Sequence, residues 1–426
     1  MEEAFIKMND FVVHARPIYI QAIEPWIGKP VVKILTGMRR VGKSMLMEQV
    51  RELLRSRGME ERRMVMLNME RLEFSHIRDF RDLARHIEDA TTGLTGTRIL
   101  LIDEVQEIAG WERTVNSLFS EGNWDIYLTG SNAHMLSTEL ATLLAGRYVE
   151  FPVYALGLTE YLDFKGLGTG QAAEVLPEYL RLGGMPAIHQ FGLHEPTVMQ
   201  YLGSLFDTII LKDVVARHEL RNVPLFENVC RFVIDNIGSL ISARRIAEYL
   251  KAQRLAVSVD TVLKYLGYLE ETFILHRVRR YDVRGKRHLE INDKYYLGDI
   301  GLRHARLGHA PSAINGLLEN LVFLELKRRG YQVFVGKVGE REVDFVATKG
   351  AAVCYLQVCY LLADDAVVER EFGALRAIPD QHPKWVVSTD TLWSGDTRGI
   401  RHCHIAEFLV GGLPPLGLHD STAVPE

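Results

Sequence analysis

Two short segments of the chain carry residue types and spacings suited to phosphate chemistry. The first runs from Gly37 to Ser44 and reads GMRRVGKS, which fits the pattern G-x-x-x-x-G-K-S. Its glycines would let backbone N–H groups wrap phosphate oxygens, its lysine would reach the β- and γ-phosphates of a nucleotide, and its serine hydroxyl would bind Mg²⁺. The residues predicted to bind the nucleotide are Gly37, Met38, Arg39, Arg40, Val41, Gly42, Lys43, Ser44 and Met45.

The second segment is Asp103-Glu104, a pair of acids at the end of the apolar run Arg98–Ile102. Phosphoryl transfer needs a group that holds the magnesium ion and a group that positions the attacking water. We expect Asp103 to share Mg²⁺ with Ser44, and Glu104 to orient and activate the water, with Lys43 as a further catalytic residue. Together the two segments predict an enzyme that hydrolyses ATP to ADP and phosphate, with ATP and Mg²⁺ as its ligands.

A parallel sheet with helices between its strands must position these residues. The apolar run Val31–Thr36 predicts a buried strand before the loop, and the residues after Ser44 have helical periodicity. Asp125–Gly130 predicts a further strand, a helix is expected at roughly 133–145, and Tyr148–Pro152 predicts another strand. The expected fold class is therefore α/β, with a P-loop nucleotide-binding core.

The order of these elements resembles that of AAA+ ATPases. In that family a polar residue after the fourth strand senses the γ-phosphate, and either Ser131 or Asn132 fits this place. An arginine just before the fifth strand acts on the nucleotide of the neighbouring subunit, and Arg147 fits that place in trans. A surface arginine at a helix end is the alternative interpretation of Arg147. The resemblance implies a homo-oligomeric ring, for which a hexamer is one candidate.

Five longer phrases resemble one prokaryotic AAA+ family. They are TGMRRVGKS, LIDEVQEIAGWE, LTGSNAHMLSTELATLLAGRY, YLRLGGMP and IILKDVVARH, and the resemblance runs from Arg16 or so to Val410 or so. The bacterial and archaeal ATPases of that family carry an uncharacterised C-terminal region with a nuclease-like fold. The domains implied are an AAA+ core at 1–165, a helical lid at 166–222, a winged helix at 223–305, a degenerate PD-(D/E)xK nuclease-like α/β domain at 306–412 and a flexible tail at 413–426.

The lid segment contains the helix-breaking turn Gly183-Gly184-Met185-Pro186. In related ATPases a Gly-x-Pro turn leans over the bound base and phosphates. Gly184 and Pro186 are therefore further candidates for nucleotide binding, and a plain turn between two helices is the alternative.

The winged-helix segment predicts two helices followed by a β-hairpin. Ser242 and Ser258 are placed to cap the helices, and the second helix has an apolar face that includes Leu263, with Tyr265 toward its other side. The hairpin is rich in cations, which would suit salt-dependent contacts with DNA phosphates. Two alternatives remain: some winged helices bind protein, and a run of charged residues can simply form a solvent-exposed face. The candidate DNA-binding residues are Lys264, Arg277, Arg279, Arg280, Arg284, Lys286 and Arg287.

The last segment resembles the PD-(D/E)xK nuclease core with two of its catalytic positions altered. Glu319 matches the acid of the core's helix, and Asp344 matches the acid on the first strand of its hairpin. The second strand offers Gln357 and Cys359 in place of a second carboxylate and a lysine. A neutral carbonyl is a weak ligand for Mg²⁺ and a thiol carries no positive charge, so we expect nuclease activity to be lost. Glu342, on the same strand face as Asp344, is the residue that would compensate.

The composition is that of an ordinary soluble protein. Of the 426 residues, 47% are hydrophobic and 25% are charged, and the net charge of −5 gives no global signature of nucleic-acid binding. The four cysteines are scattered, which argues against a zinc site and suits a reducing cytoplasm. No apolar run reaches about 18 residues and no signal pattern is present, so we expect a cytoplasmic protein with no membrane partner.

Three functions fit these residues. The first, which we favour, couples ATP hydrolysis in an oligomer to the binding or remodelling of DNA, with branched DNA as a candidate substrate by analogy alone. The second is a signalling or scaffolding switch, in which ATP sets the assembly state and the C-terminal domains bind protein. The third is an active metal-dependent nuclease.

Overall fold

The fold is that of a computed structural model of the chain. The tail expected at 413–426 and most of the helix expected at 133–145 lie outside the part of the chain that it describes. No helix within that part is both long enough and apolar enough to pass through a bilayer. The residues described are 6–8, 11–133, 144, 146–393 and 396–411.

The first of two compact units spans Met1–Ala155 together with Glu271–Phe273. Its short apolar runs form strands, and the amphipathic runs between them form helices, as their periodicity predicts. The strands are β1 (Ile6–Met8), β2 (Phe11–Val13), β3 (Val32–Thr36), β4 (Met64–Asn68), β5 (Arg98–Asp103), β6 (Trp124–Gly130) and β7 (Tyr148–Pro152). The helices are α1 (Pro17–Ile23), α2 (Lys43–Ser56), α3 (Phe80–Thr91) and α4 (Trp111–Glu121), with 3-10 turns at Glu24–Trp26, Glu61–Arg63, Leu72–Phe74 and Val105–Glu107.

A parallel sheet forms the centre of this unit, and its described strands lie in the order β4-β5-β6-β3-β7. Every residue of β3 and β6 is buried, which explains why both strands are continuous apolar runs with few polar residues. Because all the strands are parallel, the loop after β3 and the acids that end β5 lie at the same edge, on either side of β6. The sheet confirms the α/β P-loop core that the sequence predicts.

The second unit comprises Leu156–Glu270 and Ile274–Glu426. Its first part, from Leu158 to Asp235, is described throughout and contains helices without a strand. The helices of this first part are α5 (Leu158–Phe164), α6 (Ala172–Leu182), α7 (Glu195–Ile209) and α8 (Val223–Asp235), with a π-helix at Ile210–Ala216 and 3-10 turns at Thr169–Gln171 and Pro186–Phe191.

The remainder of the second unit alternates helices with strands. Its helices are α9 (Ala243–Ala252), α10 (Val259–Glu271), α11 (Ile300–Leu307), α12 (Ile314–Arg328), α13 (Asp365–Arg376) and α14 (Ile405–Gly411), and a 3-10 turn covers Pro311–Ala313. Its strands are β8 (Leu240–Ile241), β9 (Leu275–Asp282), β10 (Arg287–Leu297), β11 (Gln332–Val338), β12 (Arg341–Lys349), β13 (Ala352–Cys359), β14 (Lys384–Ser388), β15 (Asp396–Thr397) and β16 (Ile400–His404).

These strands belong to one mixed sheet, and within the described residues their order is β15-β16-β14-β13-β12-β11-β9-β10-β8. The hairpin β9–β10 joins the C-terminal strands because Arg280–Asp282 of β9 pairs in parallel with Val335–Lys337 of β11. The segments predicted as 223–305 and 306–412 therefore share a sheet. Their boundaries as domains remain predictions.

Helices α9 and α10 precede the β9–β10 hairpin, in the order that the sequence predicts. The Oγ atoms of Ser242 and Ser258 each accept a bond from the backbone N–H three residues later, at 3.2 and 3.1 Å. The buried face of α10 differs from the prediction at Val259, which is 40% exposed, and at Leu263 and Tyr265. Tyr265 is buried with its ring edge-on to that of Phe226, whereas Leu263 is 49% exposed, so the larger ring takes the core position.

Candidate functional site

The loop between β3 and α2 has a backbone conformation that requires glycine. Gly37 has a φ of 145° and Gly42 a φ of 99°, both in the region that side chains disfavour. A Cβ atom on Gly37 would also lie 2.2 Å from the carbonyl oxygen of Val153, the residue that follows β7. This glycine-dependent, tightly turned backbone is the geometry of a phosphate-binding loop.

The other predicted residues of the loop differ in exposure. Met38 and Val41 are buried and support the loop from within the unit. The guanidinium of Arg39 is mostly buried and lies 3.3 Å from the carboxylate of Glu70. The two exposed side chains are those of Arg40, which has a φ of 60°, and Met45.

Arg16 holds the loop in place, although the sequence did not mark it as a site residue. Its Nη1 donates to the carbonyl oxygen of Val41 at 2.8 Å, and its Nη2 donates to that of Tyr154 at 3.0 Å. The guanidinium lies 4.5 Å from the centre of the Tyr19 ring. One buried cation thus ties the loop to the chain just beyond β7.

The ammonium group of Lys43 lies at the centre of the candidate site. Its Nζ donates to the carbonyl oxygens of Gly37 and Met38 at 2.9 and 3.0 Å, and lies 3.6 Å from Oε1 of Glu104. Burial lowers the pKa of Lys43, and the charge of Glu104 offsets part of that effect. The two backbone carbonyls are neutral and do not balance the charge of the ammonium group. A phosphate group would balance it, so the position of Lys43 fits a nucleotide.

Asp103 is held by hydrogen bonds that fix both of its carboxylate oxygens. Its Oδ1 accepts a bond from Thr129 Oγ1, and its Oδ2 accepts one from Asn68 Nδ2 at 3.0 Å. Burial raises the pKa of Asp103, and hydrogen bonds from the side chains of Thr129 and Ser44 oppose the rise. Hydroxyl and carboxylate oxygens are the ligands that Mg²⁺ prefers, so the donors of Ser44 and Asp103 fit this ion.

Glu104 is positioned by a strained backbone and three polar neighbours. Its φ is 57°, and its N–H donates to Thr129 Oγ1 at 3.0 Å. Its Oε2 accepts bonds from Ser131 Oγ, at 2.7 Å, and from Gln106 Nε2. Burial alone would raise the pKa of Glu104, but the charge of Lys43 and the bond from Ser131 outweigh it, and the pKa lies below its usual value. The carboxylate is therefore ionised, as a group that orients and activates water requires.

The two candidate sensors and the candidate trans arginine occupy different places. Ser131 is bonded to Glu104, and Asn132 is buried directly after it. Arg147 is exposed just before β7, and its contacts are on α4. Its Nη1 donates to Asn116 Oδ1 at 3.0 Å, and its guanidinium lies 5.6 Å from the centre of the Phe119 ring. Its action on a neighbouring subunit remains a prediction.

The turn at Gly184 belongs to the second unit and is held there by a buried carboxylate. The N–H of Gly184 donates to Oδ2 of Asp299 at 2.6 Å, and that of Gly301 donates to Oδ1 at 2.9 Å. A Cβ atom on Gly184 would lie 2.3 Å from the carbonyl oxygen of Leu156, so glycine is needed there. Pro186 begins a 3-10 helix. The nucleotide contact of this turn remains a prediction.

Asp299 should make the stability of the protein depend on pH. Burial raises its pKa from 3.8 to about 6, so the folded chain holds this proton over a range in which the unfolded chain has lost it. The free energy of unfolding should therefore fall as pH rises from about 4 to 6, by about 3 kcal/mol, and stay lower above that range. Asp299→Asn has no such proton to lose. Urea denaturation at pH 4 and pH 7 should show wild type losing stability relative to this variant, and an unchanged difference would contradict the assignment. Asp260→Asn, at the exposed start of α10, is the control.

The predicted DNA-binding cations lie on α10 and on the β9–β10 hairpin. Arg280 is partly buried and the others are exposed. Among the side chains that the structure describes, two carboxylates pair with these cations: Arg277 Nε donates to Asp293 at 2.6 Å, and Arg287 Nε lies 3.7 Å from Asp282. The exposed cations at or beside the turn of the hairpin are Arg284, Lys286 and Arg287.

A second charged cluster lies in the C-terminal part of the second unit. Glu319 of α12 and Asp344 of β12 come together, as the nuclease-like interpretation predicts, and Glu342 joins them. Each of the three carboxylates is an ion partner of Lys294 Nζ, a residue of β10, at 2.8, 3.0 and 2.8 Å respectively. Nuclease motifs carry a lysine at the position of Cys359 on β13. In this chain the lysine beside the acids is Lys294, which lies on β10.

The altered nuclease positions on β13 support Asp344 without adding charge. Gln357 Oε1 accepts a bond from the N–H of Asp344 at 3.2 Å. Cys359 is buried, and burial raises the pKa of its thiol to about 12. Within the described part of the chain, no group of three or more His, Cys, Asp or Glu side chains is arranged to hold a metal ion.

The residues that the sequence analysis missed are supporting ones. Thr129, Asn68 and Gln106 orient the two acids, Arg16 ties down the loop, and Lys294 fills the second cluster. Thr129 and Asn68 carried a usable signal, because each is a polar residue near the end of a mostly apolar strand, and both strands lie next to β5.

The chain is similar to several known proteins and protein families. A family profile described as an AAA domain matches residues 29–162, and one described as a domain of unknown function (DUF8612) matches residues 173–313. An uncharacterized protein of Haemophilus influenzae is 34% identical over 398 residues, which cover 93% of this chain and 98% of that protein. An uncharacterized protein of Methanocaldococcus jannaschii is 29% identical over 363 residues, which cover 82% of this chain and 79% of that protein. Among solved structures, a Walker-type ATPase of Pyrococcus abyssi matches with a TM-score of 0.49 and 15% identity, over 70% of this chain and 96% of that chain.

Proposed function

This chain belongs to the same family as the uncharacterized Haemophilus influenzae protein, and its residues 29–162 match an AAA domain. From that premise we propose that it is a Mg²⁺-dependent ATPase that acts on DNA. The observation that carries the ATPase part is the convergence of Lys43, Asp103 and Glu104 at one edge of a parallel sheet. Glu104 lies 3.6 Å from Lys43 and is bonded to Ser131, so four groups with complementary roles share one small volume.

Each of these groups has a distinct task in the proposed reaction. Lys43 and the backbone of the loop bind the phosphates, and Ser44 and Asp103 would hold Mg²⁺, which supplies positive charge to the phosphate oxygens when it is bound. Glu104 is ionised and aimed by Ser131 and Gln106, so it can orient a water molecule and take its proton. Thr129 contacts both residues, because its hydroxyl donates to the carboxylate of Asp103 and its oxygen accepts a bond from the backbone N–H of Glu104.

The exposed cations of the β9–β10 hairpin support the DNA part of the proposal. They form a local basic ridge in a chain whose net charge is −5, and attraction to phosphates is the simplest use of such a ridge. The winged-helix interpretation of α9, α10 and the hairpin belongs to the same proposal, because in that plan the hairpin is a nucleic-acid contact. The Gly184–Pro186 turn, as part of a lid, would respond to the nucleotide.

One experiment tests both parts. ATP turnover by the full chain is measured with Mg²⁺ alone and with single-stranded, duplex or branched DNA, and DNA binding is followed by electrophoretic shift at low and high salt. We expect turnover without DNA, a further stimulation by DNA, and binding that weakens steeply with salt. Replacing Arg279, Arg280, Lys286 and Arg287 with Glu should abolish binding and stimulation while leaving basal turnover unchanged.

A matched control uses charge reversals on the first unit, at the surface residues Arg62, Arg71, Arg81 and Arg85. These should leave the shift and the stimulation intact. If wild type neither binds DNA at low salt nor responds to it, the DNA part fails while the ATPase part stands. The scaffolding switch then becomes the better proposal, and its C-terminal strands would bind protein.

Nuclease activity is the least favoured of the three functions. The structure adds a lysine to the acids of the C-terminal cluster, but that lysine is bound by all three carboxylates. Incubation of wild type with each DNA and Mg²⁺ or Mn²⁺ should leave the DNA intact. Cleavage by wild type that is lost in Asp344→Ala would make nuclease activity the best supported of the three functions.

A further inference from the structure

The three carboxylates around Lys294 come from two elements that the chain brings together from distant positions. Glu319 lies on α12, and Glu342 and Asp344 lie two residues apart on β12. Lys294 lies on β10, which is separated from β12 by the two strands β11 and β9 in the sheet order. The side chain of Lys294 is 2% exposed, and those of Glu319 and Asp344 are 11% and 8% exposed. Glu342, at 33%, closes the cluster on its solvent side.

The ammonium group has all of its donors engaged. A lysine Nζ has three N–H bonds, and there are three carboxylate partners within 3.0 Å. The carboxylates have further donors of their own. Tyr296 Oη donates to Glu319 Oε2 at 2.8 Å, and the N–H of Val358 donates to Asp344 Oδ2 at 2.9 Å. The cluster is therefore a satisfied hydrogen-bond network centred on one nitrogen atom.

The charge at the centre is permanent at ordinary pH. Burial alone would lower the pKa of Lys294, but the charge of Asp344 and of the other acids outweighs it, and the pKa lies well above its usual value. Burial, reinforced by Asp344, raises the pKa of Glu319. The lysine thus stays protonated, and removing it would leave buried carboxylates without a counter-charge, which is a costly arrangement.

We propose that Lys294 closes this cluster as a built-in cation, and that its ammonium group occupies the place between Glu319, Glu342 and Asp344 that a divalent metal ion would need. A magnesium or manganese ion requires carboxylate oxygens at about 2.0–2.2 Å from its centre. The ammonium nitrogen already stands at the point where these oxygens converge, so ion and lysine exclude each other. The positive charge at this cluster is therefore that of Lys294 and not that of a metal ion. A partner that binds at this cluster would bind without a metal ion. This inference is independent of the ATPase and DNA proposals.

Manganese binding tests the inference, because Mn²⁺ can be counted by electron paramagnetic resonance. The full chain is used without nucleotide, and Asp103→Asn is present in every sample so that the first site does not contribute. Four versions are compared on that background: otherwise unchanged, Glu342→Gln, Lys294→Met and Lys294→Met with Glu342→Gln. Lys294→Arg, which keeps the charge, is the matched control.

The unchanged chain and the Glu342→Gln chain should bind Mn²⁺ equally weakly. Lys294→Met should bind one Mn²⁺ at least about tenfold more tightly, and the added Glu342→Gln change should weaken that binding again. Lys294→Arg should show no gain. A tight Mn²⁺ site in the unchanged chain that Glu342→Gln removes would overturn the proposal, as would a folded Lys294→Met chain with no gain.

Circular dichroism decides whether the Lys294→Met chain is folded. If it is not, the first comparison settles the question by itself, since a Glu342-dependent site in the unchanged chain overturns the proposal and equal weak binding supports it. Basal ATP turnover in chains that retain Asp103 should be unaffected by the Glu342 change, which separates failure of this inference from failure of the proposed function.

Discussion

Glu104→Gln should bind ATP as tightly as wild type and hydrolyse it about 10²–10⁴-fold more slowly. The amide keeps the shape of the carboxylate and can still accept a bond from Ser131, but it cannot take a proton from water. Binding depends on the loop and on Lys43, neither of which is altered. Titration with a fluorescent ATP analogue gives the affinity, and single-turnover phosphate release gives the rate.

Glu107→Gln is the matched control for this change. Glu107 is an exposed acid three residues further along the chain, and its replacement should leave both affinity and rate at wild-type values. Unchanged turnover in Glu104→Gln would show that another group activates the water. A large loss of ATP affinity would show instead that the contact between Glu104 and Lys43 organises the loop.

Arg147→Ala should lower turnover about 10³-fold or more in an assembled oligomer, because an arginine supplied by a neighbour stabilises charge in the transition state. The side chain is exposed, and it contacts Asn116 and Phe119 of α4. Contacts of these kinds at exposed sites are each worth only about 1 kcal/mol, so the arginine can leave them. ATP binding should persist. Arg113→Ala, another exposed arginine, on α4, should have no effect.

Mixing two inactive variants shows whether Arg147 acts between subunits. In mixed oligomers of Arg147→Ala and Lys43→Ala, some interfaces combine an intact Lys43 with an intact Arg147 from the neighbour. Random assembly of equal amounts should restore about a quarter of wild-type turnover, since one interface in about four has that combination. Turnover that stays at the level of the separate variants would place the arginine on the surface with no role in catalysis.

The candidate site in the first unit could be proposed from the sequence because its residues are close together along the chain. Gly37, Lys43 and Ser44 lie within one loop, and Asp103 and Glu104 end one strand, so local patterns carry the chemistry. The supporting residues could not be predicted in the same way. Whether Thr129 bonds to both acids depends on the order of strands in the sheet, which places β6 beside β5.

Lys294 shows the limit of sequence patterns more clearly. Nuclease motifs of this type carry a lysine two residues after the position of Gln357, and Cys359 stands there instead. The structure supplies the cation from a residue 50 positions before Asp344, on a strand that is not its neighbour in the sheet. The tertiary fold brings these residues together, and no spacing rule in one sequence encodes that contact. Similarly, Tyr265 and not Leu263 is buried on α10, because its ring packs against that of Phe226. Helical spacing alone does not encode this contact.

The parallel pairing of β9 with β11 restricts how this protein can change during evolution. A domain that contains its whole sheet can be gained or lost by recombination without exposing a strand edge. In this chain, a break between α11 and α12 would remove β9 from one side of β11, while β12 remained on the other. The backbone groups next to Val335 would be left unpaired, and an unpaired strand edge promotes aggregation. The hairpin and the C-terminal strands must therefore be inherited together, and a descendant that dropped either would first have to cover the exposed edge.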